Sequence, residues 1–280
     1  MIFSFSLLLY NKMVSAAGVA ASTLAGCTIF ALGTHYLQTY MEFPLKYKQY
    51  PDIILDDVKV SIQLATLNEE NYVGITLDSI VSQPLYKKYH PENIEFILID
   101  SYSEDRTVEI AKEYVDRVIY APRGLFTARN IGAKSTDADI IVTVDAAQFY
   151  PEGWLNMLLR HFEDPEVVAV TGAKIVSPPS NIFHKIGNLW GDLLQKHIWG
   201  DNAAIRRWAW FAAGGWREDI NQFSFPETFK EEFDFYRRLE SVGKVVKDIT
   251  AVTYDTRTRY ACGTGLYEDY CLMIERGERF

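Results

Sequence analysis

Five short segments between Val60 and Glu240 place groups that can do chemistry at the ends of apolar runs or in the loops that follow. They are VSIQLATLNEEN, FILIDSYSED, GLFTARNIGA, IIVTVDAAQFYP and FKEEFDFYRRLE. Amide and carboxylate groups such as those of Asn68 and Glu69, beside the Thr66 hydroxyl, can pair with a nucleobase and with ribose hydroxyls. Asp100 can accept an imide N–H from such a base. Arg129 presents a fixed guanidinium fork suited to phosphate or carboxylate. Asp145 offers the oxygen ligand that hard divalent cations prefer. The Glu231-Glu232-Phe233-Asp234 run gathers like charges, and a carboxyl raised in pKa by burial or by a like neighbour suits a general base. Structural roles compete with each of these. Asn68 and Glu69 can open a helix, Ser103 can cap one, and acids at a helix start also answer its dipole.

These groups need a scaffold that collects them. In an open α/β sheet, ligands bind just outside the carboxyl ends of the strands. Apolar runs predict strands over Val60–Leu64, Ile94–Ile99, Val118–Tyr120, Ile140–Val144, Val167–Thr171 and Val245–Tyr254. Val73, Leu77, Ile80 and Val81 are spaced for one helix face. Further helices are expected from near Arg106 behind a Ser103 cap, within Gly124–Lys134, and over Trp154–Phe162. The alternation implies a doubly wound, mostly parallel sheet. Ile182, Phe183, Ile186, Leu189, Trp190, Leu193 and Leu194 outline another amphipathic helix. Five of the six tryptophans fall between Trp190 and Trp216. They suit sugar stacking, a membrane interface or plain core packing.

Bulk properties narrow the classes. A chain of 280 residues with 48% hydrophobic and 23% charged residues can bury a full core. A net charge of −9 argues against nucleic acid as the partner. Cys27, Cys262 and Cys271 are too few for a disulfide framework and lack zinc-site spacing. From Met13 to Met41 there is no Asp, Glu, Lys or Arg. A helix crosses a bilayer with about 20 apolar residues, so residues 1–41 are expected to form an uncleaved single-pass membrane anchor. A secretory signal and a buried helix are the alternatives. Charge does not set the orientation, since Lys12 lies on one side and Lys46 and Lys48 on the other.

The order and residue types resemble the family 2 glycosyltransferases, inverting sugar transferases of the GT-A fold, over roughly two hundred residues. Asp100, Ser103 and Asp105 match the Asp-Asp-Gly-Ser-x-Asp pattern, with Ser101 and Tyr102 in place of its second Asp and its Gly. Gly124–Gly132 matches Gly-x-x-x-Ala-Arg-Asn-x-Gly. Asp145-Ala146-Ala147 falls on the Asp-x-Asp motif, where Ala147 replaces the second acid. Asn202–Trp216 resembles the stretch that ends in Gly-Gly-Phe. Glu231-Glu232 with Arg238-Leu239 resembles the Glu-Asp…Arg-Leu helix start.

The resemblance implies a GT-A-type α/β domain over residues 55–260, with a tail over 261–280 and the catalytic domain in the cytoplasm. Thr66, Asn68, Glu69, Asp100, Arg129 and Asp145 would hold a nucleotide diphosphate sugar, UDP before GDP. Glu232 would be the general base. Gly214, Gly215, Trp216 and Glu231 would line the acceptor site for a hydroxyl on a glycan, lipid or protein. Asp145 and Asp255 would ligate Mg²⁺ or Mn²⁺, in doubt because of Ala147. The alternatives are a catalytically silent relative that binds sugar or protein, and a polyprenyl-phosphate sugar synthase.

Overall fold

The computed structural model describes residues 49–175, 197–219 and 230–256. The expected anchor over 1–41, the helix over 182–194 and the tail over 261–280 lie outside the described residues. No helix among the described residues is long and apolar enough to cross a membrane.

The strands are β1 (Val60–Thr66), β2 (Ile94–Asp100), β3 (Arg117–Tyr120), β4 (Ile140–Asp145), β5 (Gln148–Phe149), β6 (Val167–Ile175), β7 (Asn202–Arg206) and β8 (Lys244–Asp255). They form one sheet in the order β3-β2-β1-β4-β7-β6-β8-β5. β3, β2, β1 and β4 run parallel. β7 is antiparallel to β4 and β6, β8 is parallel to β6, and β5 is antiparallel to β8. The chain steps outward from β1 to β2 and β3, then returns to β4 on the other side of β1. That reversal opens a crevice at the carboxyl ends of β1 and β4, the place where open α/β sheets bind ligands.

The helices are α1 (Val73–Val81), α2 (Pro84–Tyr89), α3 (Thr107–Ala111), α4 (Leu125–Lys134), α5 (Trp154–Leu159), α6 (Arg207–Ala212) and α7 (Lys230–Glu240). Strand side chains alternate between two cores, as a period of two requires. Ile62, Leu64, Phe96 and Leu98 point to one core with Val73, Leu77 and Ile80 of α1 and Trp154 of α5. Ala65, Ile97 and Ile99 point to the other face, against Ala128 of α4. Further along that face, Ile141 and Ile205 pack with Trp210, Trp216, Phe235 and Leu239. Both faces are covered, which is why the central strands read as continuous apolar runs.

The predicted strands are present, and several run further toward their carboxyl ends than apolar patterning indicated. β6 continues past Thr171 to Ile175 through Gly172 and Lys174. β5 and β7 were not expected. The helix predicted over Trp154–Phe162 stops at Leu159, and a 3₁₀ turn follows over Arg160–Glu163. Ser103 does not cap α3, whose N-cap residue is Arg106 and lacks a side-chain cap bond. Asp105 serves that start, accepting from the Thr107 amide and hydroxyl and from the Glu70 amide.

Candidate active site

The carboxyl ends of β1, β2 and β4 lie side by side. Thr66 is in register with Asp100, and Ala65 with Asp145. Asp100 is fully buried. Its carboxylate accepts from Thr66 Oγ1 at 3.0 Å, Ser103 Oγ at 2.5 Å and the Ser103 amide at 2.8 Å. The loops that follow β1 and β2 are joined as well. The Asn68 amide donates to Ser103 Oγ at 2.9 Å, and Asn68 Oδ1 accepts from the Glu104 amide at 2.8 Å. The Glu69 amide donates to Thr107 Oγ1 at 2.7 Å. Asp100 thus organises the end of the crevice from beneath, and Asn68 adopts the left-handed backbone (φ 56°) that asparagine tolerates better than most residues.

Arg129 reaches the crevice from α4. Gly132, one turn on, lets α4 close on the sheet, since a Cβ there would lie 2.5 Å from Gln63 Oε1. Arg129 is 4% exposed. Its Nη2 donates to Asp145 Oδ1 at 2.7 Å, a charge-assisted bond. The guanidinium sits 5.4 Å from the Trp216 ring centroid. The backbone at Gly200 closes over it, for a Cβ there would lie 2.1 Å from Nη1. Arg129 Nε has no hydrogen-bond partner among the described residues. Arg129 occupies the second turn of α4 rather than its N-terminus, so its attraction for anions is that of its own charge.

Glu232 lies in the first turn of α7. It is partly buried, and its Oε2 is enclosed without a hydrogen-bond partner among the described residues. Burial first, and then the charge of Asp201, push its carboxyl up to about 8, against the pull of Arg129, Lys174 and a bond from the Gly200 amide. A carboxyl of this affinity is mostly protonated near neutral pH, and its carboxylate form, which grows as pH rises, can take a proton from a hydroxyl. Glu231 and Asp234 were expected to supply the like charge. Asp234 is engaged by Arg238 at 2.7 Å on the same helix, and Asp201 is the charge that raises Glu232 most.

Lys174 near the end of β6, Asp201 ahead of β7 and Tyr150 after β5 belong to the same neighbourhood and were missed in the sequence. Lys174 Nζ is 2.5 Å from Asp201 Oδ2, with 17% and 4% of the two side chains exposed. Burial alone would lower the Lys174 ammonium, but Asp201, Asp145 and Asp255 raise it, so it is held charged. The Tyr150 hydroxyl donates to the Asp201 carbonyl at 2.8 Å and accepts from the Asp145 amide at 3.1 Å. Burial, with Asp201 and Asp145 adding to it, raises that phenol well above its ordinary value. One signal was present. Lys174 is a charge at the end of an apolar run, the same pattern that marked Asp145, but Gly172 ended the predicted strand too early.

The acceptor candidates divide. Gly214 and Gly215 both have positive φ, 82° and 67°, the tight turn that glycine permits. Arg238 Nη1 donates to the Gly215 carbonyl at 2.6 Å, and Asn130 brackets Trp216 through its amide and carbonyl at 2.9 and 2.8 Å. Trp216 is 2% exposed. Its ring stacks on Phe126 at 4.9 Å and meets Phe235 at 4.6 Å, which places it in the core and not on an open face that a sugar could stack upon. Glu231 is also buried. Trp208 is 55% exposed.

The described side chains do not gather into a ligand set for a divalent ion. Among the described residues no three His, Cys, Asp or Glu side chains converge as a metal-ligand group. Asp145 is already ion-paired with Arg129, and Lys174 lies in the field of both Asp145 and Asp255. Ala147, in place of a second acid, is buried with left-handed backbone, φ 61°.

The sequence profile described as Glycosyl transferase family 2 matches residues 61–210, more than half of the chain. The chain therefore belongs to glycosyl transferase family 2. Among curated relatives it is 30% identical over 159 residues to glycosyltransferase GlyA of Streptococcus pneumoniae, covering 54% of this chain and 22% of that one. It is 27% identical over 187 residues to hyaluronan synthase of Streptococcus pyogenes, covering 61% and 41%. The chain thus spans less than half the length of these relatives. Among solved structures, mannosyltransferase PcManGT of Pyrobaculum calidifontis, in complex with GDP-Man and Mn²⁺, aligns with a TM-score of 0.58 at 18% identity over 85% of this chain and 70% of that one. Glucosyl-3-phosphoglycerate synthase of Mycobacterium tuberculosis, with Mn²⁺, UDP and its product, aligns with a TM-score of 0.52 at 17% identity over 84% and 88%. These likenesses establish a mixed α/β sheet of the GT-A kind. The donors and Mn²⁺ belong to those proteins.

Proposed function

We propose that this chain is an inverting glycosyltransferase that moves a sugar from a nucleotide diphosphate sugar, UDP favoured, to a hydroxyl of a glycan, lipid or protein. One observation carries the reading. Glu232, pushed up to about 8, sits in the electrostatic field of Arg129, whose guanidinium pairs with Asp145 at the strand-order reversal. A base and a phosphate-binding cation in one neighbourhood are what in-line glycosyl transfer needs. The acceptor hydroxyl gives its proton to Glu232 as its oxygen bonds to the anomeric carbon. The bond from that carbon to the diphosphate oxygen breaks on the opposite face, and the electron pair leaves with the nucleoside diphosphate. Configuration inverts.

In this reading the loops over Thr66–Glu69 and Ser101–Asp105 receive the base and ribose, with Asp100 holding them in shape beneath. Gly214 and Gly215 shape the acceptor side, and Glu231 supports it from the buried side. Asp145 and Asp255 are the only two acids assigned to Mg²⁺ or Mn²⁺, which gives such an ion an accessory place at most. The uncharged run from Met13 to Met41 supports a single-pass anchor, and the cytoplasmic side for the catalytic domain rests on the family resemblance alone.

A thermal-shift screen against UDP- and GDP-sugars tests the donor, because a ligand of the native state raises its apparent stability. Upward shifts with UDP-sugars are expected. The absence of a shift with every nucleotide tried would leave the silent relative in its place. Transfer that persists at full rate in Glu232→Gln would favour a phosphate acceptor, which needs no base.

A further inference from the structure

Lys174 has no part in the proton transfer described above, yet its charge couples to Asp145 and Asp255, the two acids that the family resemblance assigns to a metal. Ala147 removes one acid from that place, and no three metal-ligating side chains converge among the described residues. A cation is present instead. Lys174 Nζ is held 2.5 Å from Asp201 Oδ2. Asp145 and Asp255 also act on its charge. A divalent ion between those two acids would face the repulsion of this buried ammonium, to which both acids are coupled. It would also compete with Arg129, already 2.7 Å from Asp145.

Two buried atoms suit a ligand that both accepts and donates hydrogen bonds. Arg129 is 4% exposed, and its Nε has no partner among the described residues. Asp201 is 3% exposed, and its Oδ1 likewise has none. Buried polar groups are nearly always satisfied, and a diphosphate with an attached sugar carries both acceptors for the guanidinium and hydroxyls for the carboxylate. Tyr150 ties the Asp145 and Asp201 backbones together, so the cation and acid positions are set as one unit.

We infer that Lys174 and Arg129 together neutralise the leaving diphosphate in this chain, so that donor binding and transfer proceed without a divalent ion held by the protein. The inference rests on the glycosyl-transfer reading. As the bond from the anomeric carbon to the diphosphate oxygen breaks, the electron pair stays on that oxygen. Lys174 and Arg129 donate to the departing diphosphate while the acceptor proton passes to Glu232. Asp201 positions Lys174 and is not consumed.

Calorimetric titration of UDP into the full-length protein, with EDTA and then with Mn²⁺, separates the outcomes. Equal affinity in both conditions is expected. Lys174→Met, once its cooperative unfolding has been verified, is expected to weaken UDP in EDTA by about 10- to 100-fold, the size of one charge-assisted hydrogen bond. UDP binding by the wild type that is lost in EDTA and restored by Mn²⁺ overturns the inference and leaves the glycosyltransferase reading standing. Unchanged UDP affinity in a folded Lys174→Met also overturns it. Absence of UDP and GDP binding in both conditions overturns the underlying reading itself. The wild-type comparison needs no variant, so it decides even if Lys174→Met does not fold.

Discussion

Asp201 and Glu232 act on each other through their charges: after burial, Asp201 is the largest influence that raises the Glu232 carboxyl, to about 8. One acid lies ahead of β7 and the other in the first turn of α7, so two elements far apart in the chain set the proton affinity of one group.

Glu232→Gln keeps the shape and removes the proton acceptor. Transfer is expected to fall by about 10²- to 10⁴-fold, the usual contribution of general acid–base catalysis, while nucleotide binding persists. The wild-type rate should climb with pH toward about 8, as the carboxylate form appears. Near-normal turnover in the variant, or a rate that ignores pH in that range, would remove Glu232 from this role.

The same group leaves a mark on stability. The unfolded chain releases this proton near 4.5 and the folded one near 8. The folded state binds more protons in between, so the stabilisation is complete below 4.5 and fades as pH rises to 8, by up to about 1.4 kcal/mol per pH unit. Urea unfolding of the wild type and Glu232→Gln across this range measures the difference. Identical slopes would contradict it.

Asp248 makes the opposite prediction. Burial opposes its ionisation, but bonds from His161 and Thr250 and the charge of Arg160 win and hold it at about 2, below the ordinary 3.8. Its contribution, about 2 kcal/mol, is present above 3.8 and lost as pH falls through 2. Asp248→Asn should lose that stability at neutral pH and leave UDP affinity unchanged. A stability loss near zero, or weaker UDP binding, would disprove the assignment.

Arg129→Met leaves Asp145 without its partner. Breaking a buried pair costs about 3 kcal/mol, and UDP affinity should fall with it. Chemical unfolding and a UDP titration read both effects. A stable variant that binds UDP as the wild type does would show that Arg129 serves neither purpose.

Ala147→Asp restores the acid that the family pattern carries. The left-handed backbone there, φ 61°, is one that aspartate tolerates better than alanine. Mn²⁺ affinity in the presence of UDP should tighten by about tenfold or more, since ligand count and charge both rise. Titration of Mn²⁺ into both proteins decides, and no gain would mean that this loop has left the family geometry.

The sheet was legible because its central strands are apolar on both faces: Ile62, Leu64, Phe96 and Leu98 could belong to little else. The strand end at Asp145 was legible because a charge closes its apolar run, while Arg129 and Glu232, which lie on helices, were singled out by the family pattern and hold their roles as proposals. Lys174 and Asp201 were not, since β7 inserts antiparallel between β4 and β6, and no local pattern announces which distant strand ends it brings together. Trp216 misled because an aromatic after two glycines suits a sugar platform and a core plug equally well, and only the rings of Phe126 and Phe235 on it decide between them. Ser103 misled in the other direction. Its hydroxyl has the chemistry of a helix cap, but a buried carboxylate three residues earlier is the stronger partner.

The bonds that Asp100 gathers from Thr66 and Ser103, and those joining Asn68 to Ser103 and Glu104, are all made within the protein and call on no ligand atom. Two loops that would otherwise sample many conformations are frozen during folding, so their ordering entropy is not charged to each round of binding. Under the proposed reading, encounter with the donor at this end is closer to docking on a rigid surface than to folding around a guest, and recognition there favours ligands whose shape already matches.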